Sequence, residues 1–210
     1  AGPAFHTAQW DHSVDIRNRR VGIIGTGSTA AQVVPGIVDK VGTLSLFQRT
    51  AQWVLPFPDK KYSEAFKARR RKHKWLARLH HWFDLQLFQK VFTGAVRGKK
   101  LPLWMVTREV NNSLASIRDP ALKQKMTPPY PPACKRLVIA QDFYPAIQKD
   151  NVEIISDDID SIVPEGIKLK NGRTVELDVL VYSTGFWPYR ISVDVIGNQG
   201  MHLNERLEGS

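Results

Sequence analysis

Apolar and polar positions follow three rhythms along the 210-residue chain. Near the start, "VGII" (21–24) is a continuous, β-branched apolar run of the kind a buried parallel strand carries. "GTG" interrupts it, "STAAQVVPGIVDKV" resumes at helical spacing, and "TLSLF" supplies a second strand. The order strand, glycine turn, helix, strand predicts a βαβ unit. Pro35 inside the helix removes a backbone donor and predicts a kink.

The rhythm then changes to a helical one. Trp75, Leu76, Leu79, Trp82, Phe83, Leu87 and Val91 recur near i, i+3, i+4 and i+7, while Arg69 to Lys74 and Arg78 take other positions. One face is therefore apolar, and residues 59–126 read as a helical insertion rather than a linker. After the proline-rich "TPPYPPACKR", the segments "VEIIS", "IDSIVP" and "GIKLKNGRTVELDVLVYSTGF" read as strands. Alternation on either side of Asn171-Gly172 predicts a hairpin, and "DVLVYSTG" returns to the buried parallel pattern that closes the sheet. The fold class expected is α/β: a Rossmann-like dinucleotide-binding domain, a parallel sheet plus a β-hairpin or meander, with a helical insertion.

Composition narrows the classes. At 42% hydrophobic residues the chain can bury one core and an attached subdomain. No run approaches the roughly 18 apolar residues of a membrane span, and no signal-peptide layout opens the chain, so a soluble, cytoplasmic protein is expected. A single cysteine, Cys134, excludes an internal disulfide and any CxxC redox or zinc motif, and no metal is expected. The net charge of +10 is local: residues 60–100 hold 13 Lys/Arg against Glu64 and Asp84, a balance of +11, which leaves −1 for the remainder. Basic residues with Trp and Phe between them could serve nucleic acid or an anionic membrane, the less favoured reading beside a solvated face that steers an anionic cofactor.

The candidate chemistry begins at Gly25-Thr26-Gly27-Ser28-Thr29-Ala30. A GxGxxA directly after a strand and opening a helix lets the backbone approach a pyrophosphate and seats it at the positive helix end. Gln32 follows on the same helix as a further cofactor-binding candidate. About 20 residues past such glycines, at the tip of the second strand, an acid ordinarily meets the adenosine ribose. Here the tip is Gln48-Arg49-Thr50, without an acid. A guanidinium there can pair with a 2′-phosphate, which predicts NADP(H) over NAD; the bland alternative is a solvated arginine at a strand end.

Several of these elements together resemble the Baeyer-Villiger branch of the class B flavoprotein monooxygenases. "AGPAFHTAQWD" is similar to that branch's FxGxxxHxxxW(P/D) fingerprint, with Gly2, His6, Trp10 and Asp11 in register. The leading Phe would fall just before Ala1, so the chain is expected to be cut from a longer protein. The GTGSTA loop, the FQRT strand end, the CKR element at Cys134 to Arg136 and the STGF element at Ser183 to Phe186 follow in the family's order.

The resemblance implies an enzyme using NADPH, FAD and O₂ that converts a ketone into an ester or lactone. Lys135 would join Arg49 at the 2′-phosphate, Thr50, Thr184 and Gly185 would belong to the cofactor site, and Arg136 would be the active-site arginine that stabilises developing negative charge. His6 would have a conformational role and Trp10 a packing one. Residues 1–20 would be an interdomain linker, 21–58 and 127–186 the NADP-binding domain, 59–126 the basic helical insertion, and 187–210 the return to the FAD domain of the same parent chain. With one dinucleotide fingerprint where the family has two, the chain alone is expected to bind no flavin tightly and to be inactive. Phe or Tyr usually replaces Trp10 in the related N- and S-oxidising flavin monooxygenases, which stand as the alternative. A disulfide reductase of similar architecture would need a dithiol.

Overall fold

The computed structural model describes residues 2–57, 61–186, 193, 195–197 and 200–203. The chain runs through β1 (Ala4–His6), β2 (Arg20–Ile24), α1 (Ser28–Ile37), β3 (Thr43–Phe47), β4 (Val54–Leu55), α2 (Glu64–Lys72), α3 (Lys74–Val96), α4 (Lys100–Ala115) and α5 (Pro120–Met126). It continues through β5 (Val138–Ile139), α6 (Phe143–Ile147), β6 (Val152–Ile155), β7 (Ile159–Val163), β8 (Gly166–Leu169), β9 (Thr174–Glu176) and β10 (Val179–Tyr182). The stretch read as the return to a second domain, 187–210, lies largely outside the described residues.

Five parallel strands form the central sheet in the order β1-β10-β2-β3-β6. Period-2 alternation divides their side chains between two layers. Val21, Ile23, Leu44, Leu46, Ile154, Val179 and Val181 belong to the larger core, which also holds Ala30, Ala31, Val34 and Ile37 of α1 and Phe143 and Ile147 of α6. Phe47, Ile155 and Leu180 turn the other way, onto Ile167, Leu169, Val175 and Leu177 of the antiparallel meander β7-β8-β9. Helices thus cover one face and the meander the other, as a parallel sheet requires.

The predicted βαβ unit and the hairpin are present, with Gly172 at φ 89° in the turn. Pro35 lies in the last helical turn of α1 rather than at its middle, because the helix ends at Ile37, four residues before the apolar pattern does. The opening segment is more than a linker: its β1 pairs with β10 from Ala4↔Leu180 to His6↔Tyr182 and forms an edge of the sheet.

The insertion consists of α2 to α5. Val106, Val110 and Leu114 of α4 reach the larger core, as does Met126 of α5. Its two ends are drawn together by β4 and β5, a parallel pair registered Val54↔Val138 and Leu55↔Ile139. An apolar face on a helix ordinarily packs inward. On α3, however, Trp75, Leu79, Trp82, Phe83 and Leu87 are exposed, and only Gly94 and Ala95 are fully buried. Among the described residues no helix is long and apolar enough to cross a membrane.

Candidate functional site

The carboxyl ends of β2, β3 and β10 open on a cleft of about 890 Å³, lined among others by Gly25 to Thr29, Gln48 to Thr50, Lys135, Arg136 and Ser183 to Phe186. This is where ligands bind in open parallel sheets, because the strand order changes direction there.

Gly25 opens the turn after β2 with φ 109°, and its N–H donates to the Phe47 carbonyl at 2.9 Å. A Cβ at this position would stand 2.4 Å from the Ser183 carbonyl oxygen, so the turn is wedged between the tips of β3 and β10. Only glycine meets both demands. Thr26 is nearly buried, and its hydroxyl donates to the Thr50 carbonyl at 3.2 Å, fastening the turn to the tip of β3.

Helix α1 then starts with Gly27 as its cap residue, and no side chain caps it. A Cβ on Gly27 would meet nothing within 4 Å, so the first-turn N–H groups of α1 face open space in the cleft. Ala30 is buried against the sheet and Gln32 is exposed two residues further on, outside the cleft lining. At that depth the helix N–H groups already have partners within the helix, so Gln32 is not brought to the site with the other candidates.

The cations come from two segments. Arg49 follows β3, and Lys135 and Arg136 lie on the loop before β5; all three are exposed. Among the described residues none of them pairs with a carboxylate. Lys135 Nζ lies 4.4 Å from the centroid of the Tyr130 ring. The Tyr130 hydroxyl donates to Gln52 Oε1 at 2.8 Å and approaches the Ala51 carbonyl at 3.3 Å. Gln52 Nε2 donates to the Thr50 carbonyl at 3.2 Å, and Trp53 Nε1 to the Tyr130 carbonyl at 2.7 Å. The loop carrying Lys135 is thereby tied to the segment that carries Arg49 and Thr50, although 86 residues separate the two cations in sequence.

Two further features were not legible from motifs. Gln48 is buried; its Nε2 donates to the Lys125 carbonyl at 2.8 Å and to Ser156 Oγ at 3.1 Å, while Gln48 Oε1 and the buried Ser183 Oγ have no hydrogen-bond partner. Asp157, Asp158 and Ile159, just past β6, also line the cleft. Asp157 accepts from Asn171 Nδ2 at 3.1 Å and Asp158 from Lys170 Nζ at 3.0 Å, so both carboxylates are engaged by the meander. The signal for them lay in topology, since β6 neighbours β3 in the sheet.

At the opposite edge of the cleft, Phe186 meets His6 edge to face, with ring centroids 5.8 Å apart. His6 Nδ1 accepts from the Ala8 N–H at 3.1 Å, and Trp10 packs edge to face on Phe5 at 5.0 Å. Both aromatic residues of the opening motif thus act in packing and turn formation.

No family model matches the chain. An uncharacterised monooxygenase of Mycobacterium tuberculosis is 38% identical over 97% of this chain and 41% of its own length. A Baeyer-Villiger monooxygenase of Pseudomonas aeruginosa is 36% identical over 88% of this chain and 35% of its own, and one from Streptomyces coelicolor 35% identical over 99% and 40%. In fold the chain is similar to an open cyclohexanone monooxygenase, with a TM-score of 0.77, 23% identity and coverage of 99% of this chain and 48% of that one. A cyclohexanone monooxygenase from Rhodococcus sp. Phi1 bound to NADP⁺ gives a TM-score of 0.76 at 22% identity, over 100% and 48%. Along nearly its whole length the chain is similar in sequence to Baeyer-Villiger monooxygenases, and it spans about two fifths of the length of the curated relatives it matches.

Proposed function

We infer that the cleft binds NADPH, and that the chain is the NADPH-binding portion of an FAD- and NADPH-dependent monooxygenase converting a ketone and O₂ into an ester or lactone. The carrying observation is the tip of β3, where Arg49 replaces the usual acid and faces the same cleft as the uncapped start of α1, Lys135 and Arg136.

The residues present fit such a dinucleotide. The open N–H groups of α1 suit the pyrophosphate. The guanidinium of Arg49 can grip a 2′-phosphate in a bidentate manner, with Lys135 adding a point charge. Buried Ser183 Oγ and Gln48 Oε1, at the cleft wall without partners, are groups that a bound polar ligand or water would satisfy. Arg136 lines the same cleft, free of any carboxylate among the described residues, and would hold negative charge that develops there.

Bound FAD would supply the redox chemistry, accepting hydride from NADPH and activating O₂. The relatives are more than twice as long as this chain, and we assign the flavin to the part of such proteins that it does not match. The chain on its own is expected to purify without flavin absorbance.

Calorimetric titration with NADPH, NADH and 2′-AMP tests the reading. NADPH is expected to bind at least about tenfold tighter than NADH, and Arg49→Ala or Lys135→Ala to weaken NADPH by about 1.5–3 kcal/mol each, the range of a charge-assisted hydrogen bond. Equal affinity for NADH, or insensitivity to both substitutions, overturns it.

A further inference from the structure

Helix α3 is apolar on two opposite sides. Val91, Phe92 and Ala95 point toward the protein core, whereas Trp75, Leu79, Trp82 and Phe83 fall on the other side and are 61%, 56%, 58% and 59% exposed. Those four positions are i, i+4, i+7 and i+8, a single stripe along a 23-residue helix. A helix with apolar residues on both sides is one that something covers on both. Scattered exposed leucines need no explanation, but two tryptophans, a phenylalanine and a leucine in one stripe do.

The charges around the stripe identify the cover. By helical spacing Arg78 flanks it on one side and Lys90 falls within it. Asp84, the one acid of α3, lies on the opposite side, beside His80 Nδ1 at 2.8 Å. The preceding helix α2 has no buried residue and ends in Arg69, Arg70, Arg71 and Lys72. Aromatic and aliphatic side chains on one helix face, edged by cations and free of acids, match an interface between water and anionic lipid, where rings sit at headgroup depth and Lys/Arg meet phosphates. A second copy of the chain would bring +11 against +11. Duplex nucleic acid would take the cations but leave Leu79 and the tryptophan stripe uncovered.

We propose that the outer face of α3, with the basic end of α2, docks this protein on an anionic lipid surface, lying on the leaflet without spanning it. The proposal is independent of the NADPH reading, since none of these residues lines the cleft.

Flotation of the chain with phosphatidylcholine vesicles, with and without phosphatidylglycerol, tests it, alongside tryptophan emission. Binding is expected only with the anionic lipid, with a blue-shifted emission and a steep loss in high salt. Trp75→Ser with Trp82→Ser should abolish the shift and weaken binding at least about tenfold, and Arg70→Gln with Arg71→Gln should weaken it roughly fivefold per cation removed. Unchanged circular dichroism and NADPH titration would show that the variants are folded. Absence from anionic vesicles, equal binding by the tryptophan variant, preference for duplex DNA over vesicles, or self-association lost in the tryptophan variant would each overturn the proposal.

Discussion

At the level of single residues, Tyr130 has more to do than its place in a proline-rich loop indicates. Its ring carries the Lys135 ammonium and its hydroxyl holds Gln52, which in turn holds Thr50. On the proposed reading, Tyr130→Leu should lower the NADPH-over-NADH preference several-fold, because Lys135 loses a cation–π contact worth about 0.5–1 kcal/mol and its loop loses an anchor. Tyr130→Phe keeps the ring and should retain most of the preference; parallel titrations of both variants with the two cofactors give the comparison. Gly25→Ala drives a methyl group into the Ser183 carbonyl at a positive φ. It should cost about 1–3 kcal/mol in urea unfolding and abolish NADPH binding. The glycine requirement was legible in the sequence, whereas the tyrosine's was not: a motif records spacing along the chain, and Tyr130 works across it.

At the level of elements, the loop before β5 contains a strained residue. Ala133 adopts φ 63°, a region that side chains other than Asn or Asp enter at a cost of about 1 kcal/mol or more. Ala133→Gly is therefore expected to raise the urea midpoint, with a gain of about 0.5–1 kcal/mol, and to leave the cation pair in place. The meander is attached to the sheet by a two-bond ion pair, Arg173 to Glu153 at 2.6 and 2.7 Å. Hydrogen bonds from Arg173 hold the Glu153 carboxyl below its usual range. A depressed carboxylate contributes stability above its unfolded value of about 4.3 and loses it as pH falls through the lower, folded one. Glu153→Gln should thus reduce stability at pH 7 and flatten the acid limb of a pH–stability curve measured by urea unfolding. Short elements escaped sequence reading for a plain reason. β1, β4 and β5 have two or three residues each and α6 has five, too few to establish a period.

At the level of the whole molecule, β2, α1, β3, the hairpin and β10 were legible because burial on both faces of a parallel sheet leaves long apolar runs, and because Asn171-Gly172 turns the chain locally. The helical insertion was legible as helix but not in its orientation. Periodicity shows that Trp75, Leu79 and Trp82 share a side of α3; it cannot say whether that side faces protein or something else. The strand order had the same standing. That β6 lies beside β3, carrying Asp157 and Asp158 to the cleft, follows from pairing across 108 residues, as in Leu44↔Val152, and no local pattern encodes it.

The short parallel pair β4–β5 has a thermodynamic consequence. It brings Leu55 opposite Ile139 although they are 84 positions apart, so everything between them is, to the sheet, one closed loop. The entropy of closing a loop grows only with the logarithm of its length, about 0.6 kcal/mol for each doubling. Halving the segment or doubling it would therefore change the closure entropy, taken alone, by less than about one hydrogen bond's worth. The two-residue neck leaves the length of the exposed outer part, α2 and the start of α3, almost a free variable, whereas Val106, Val110, Leu114 and Met126 are held in place by the core they share with the sheet.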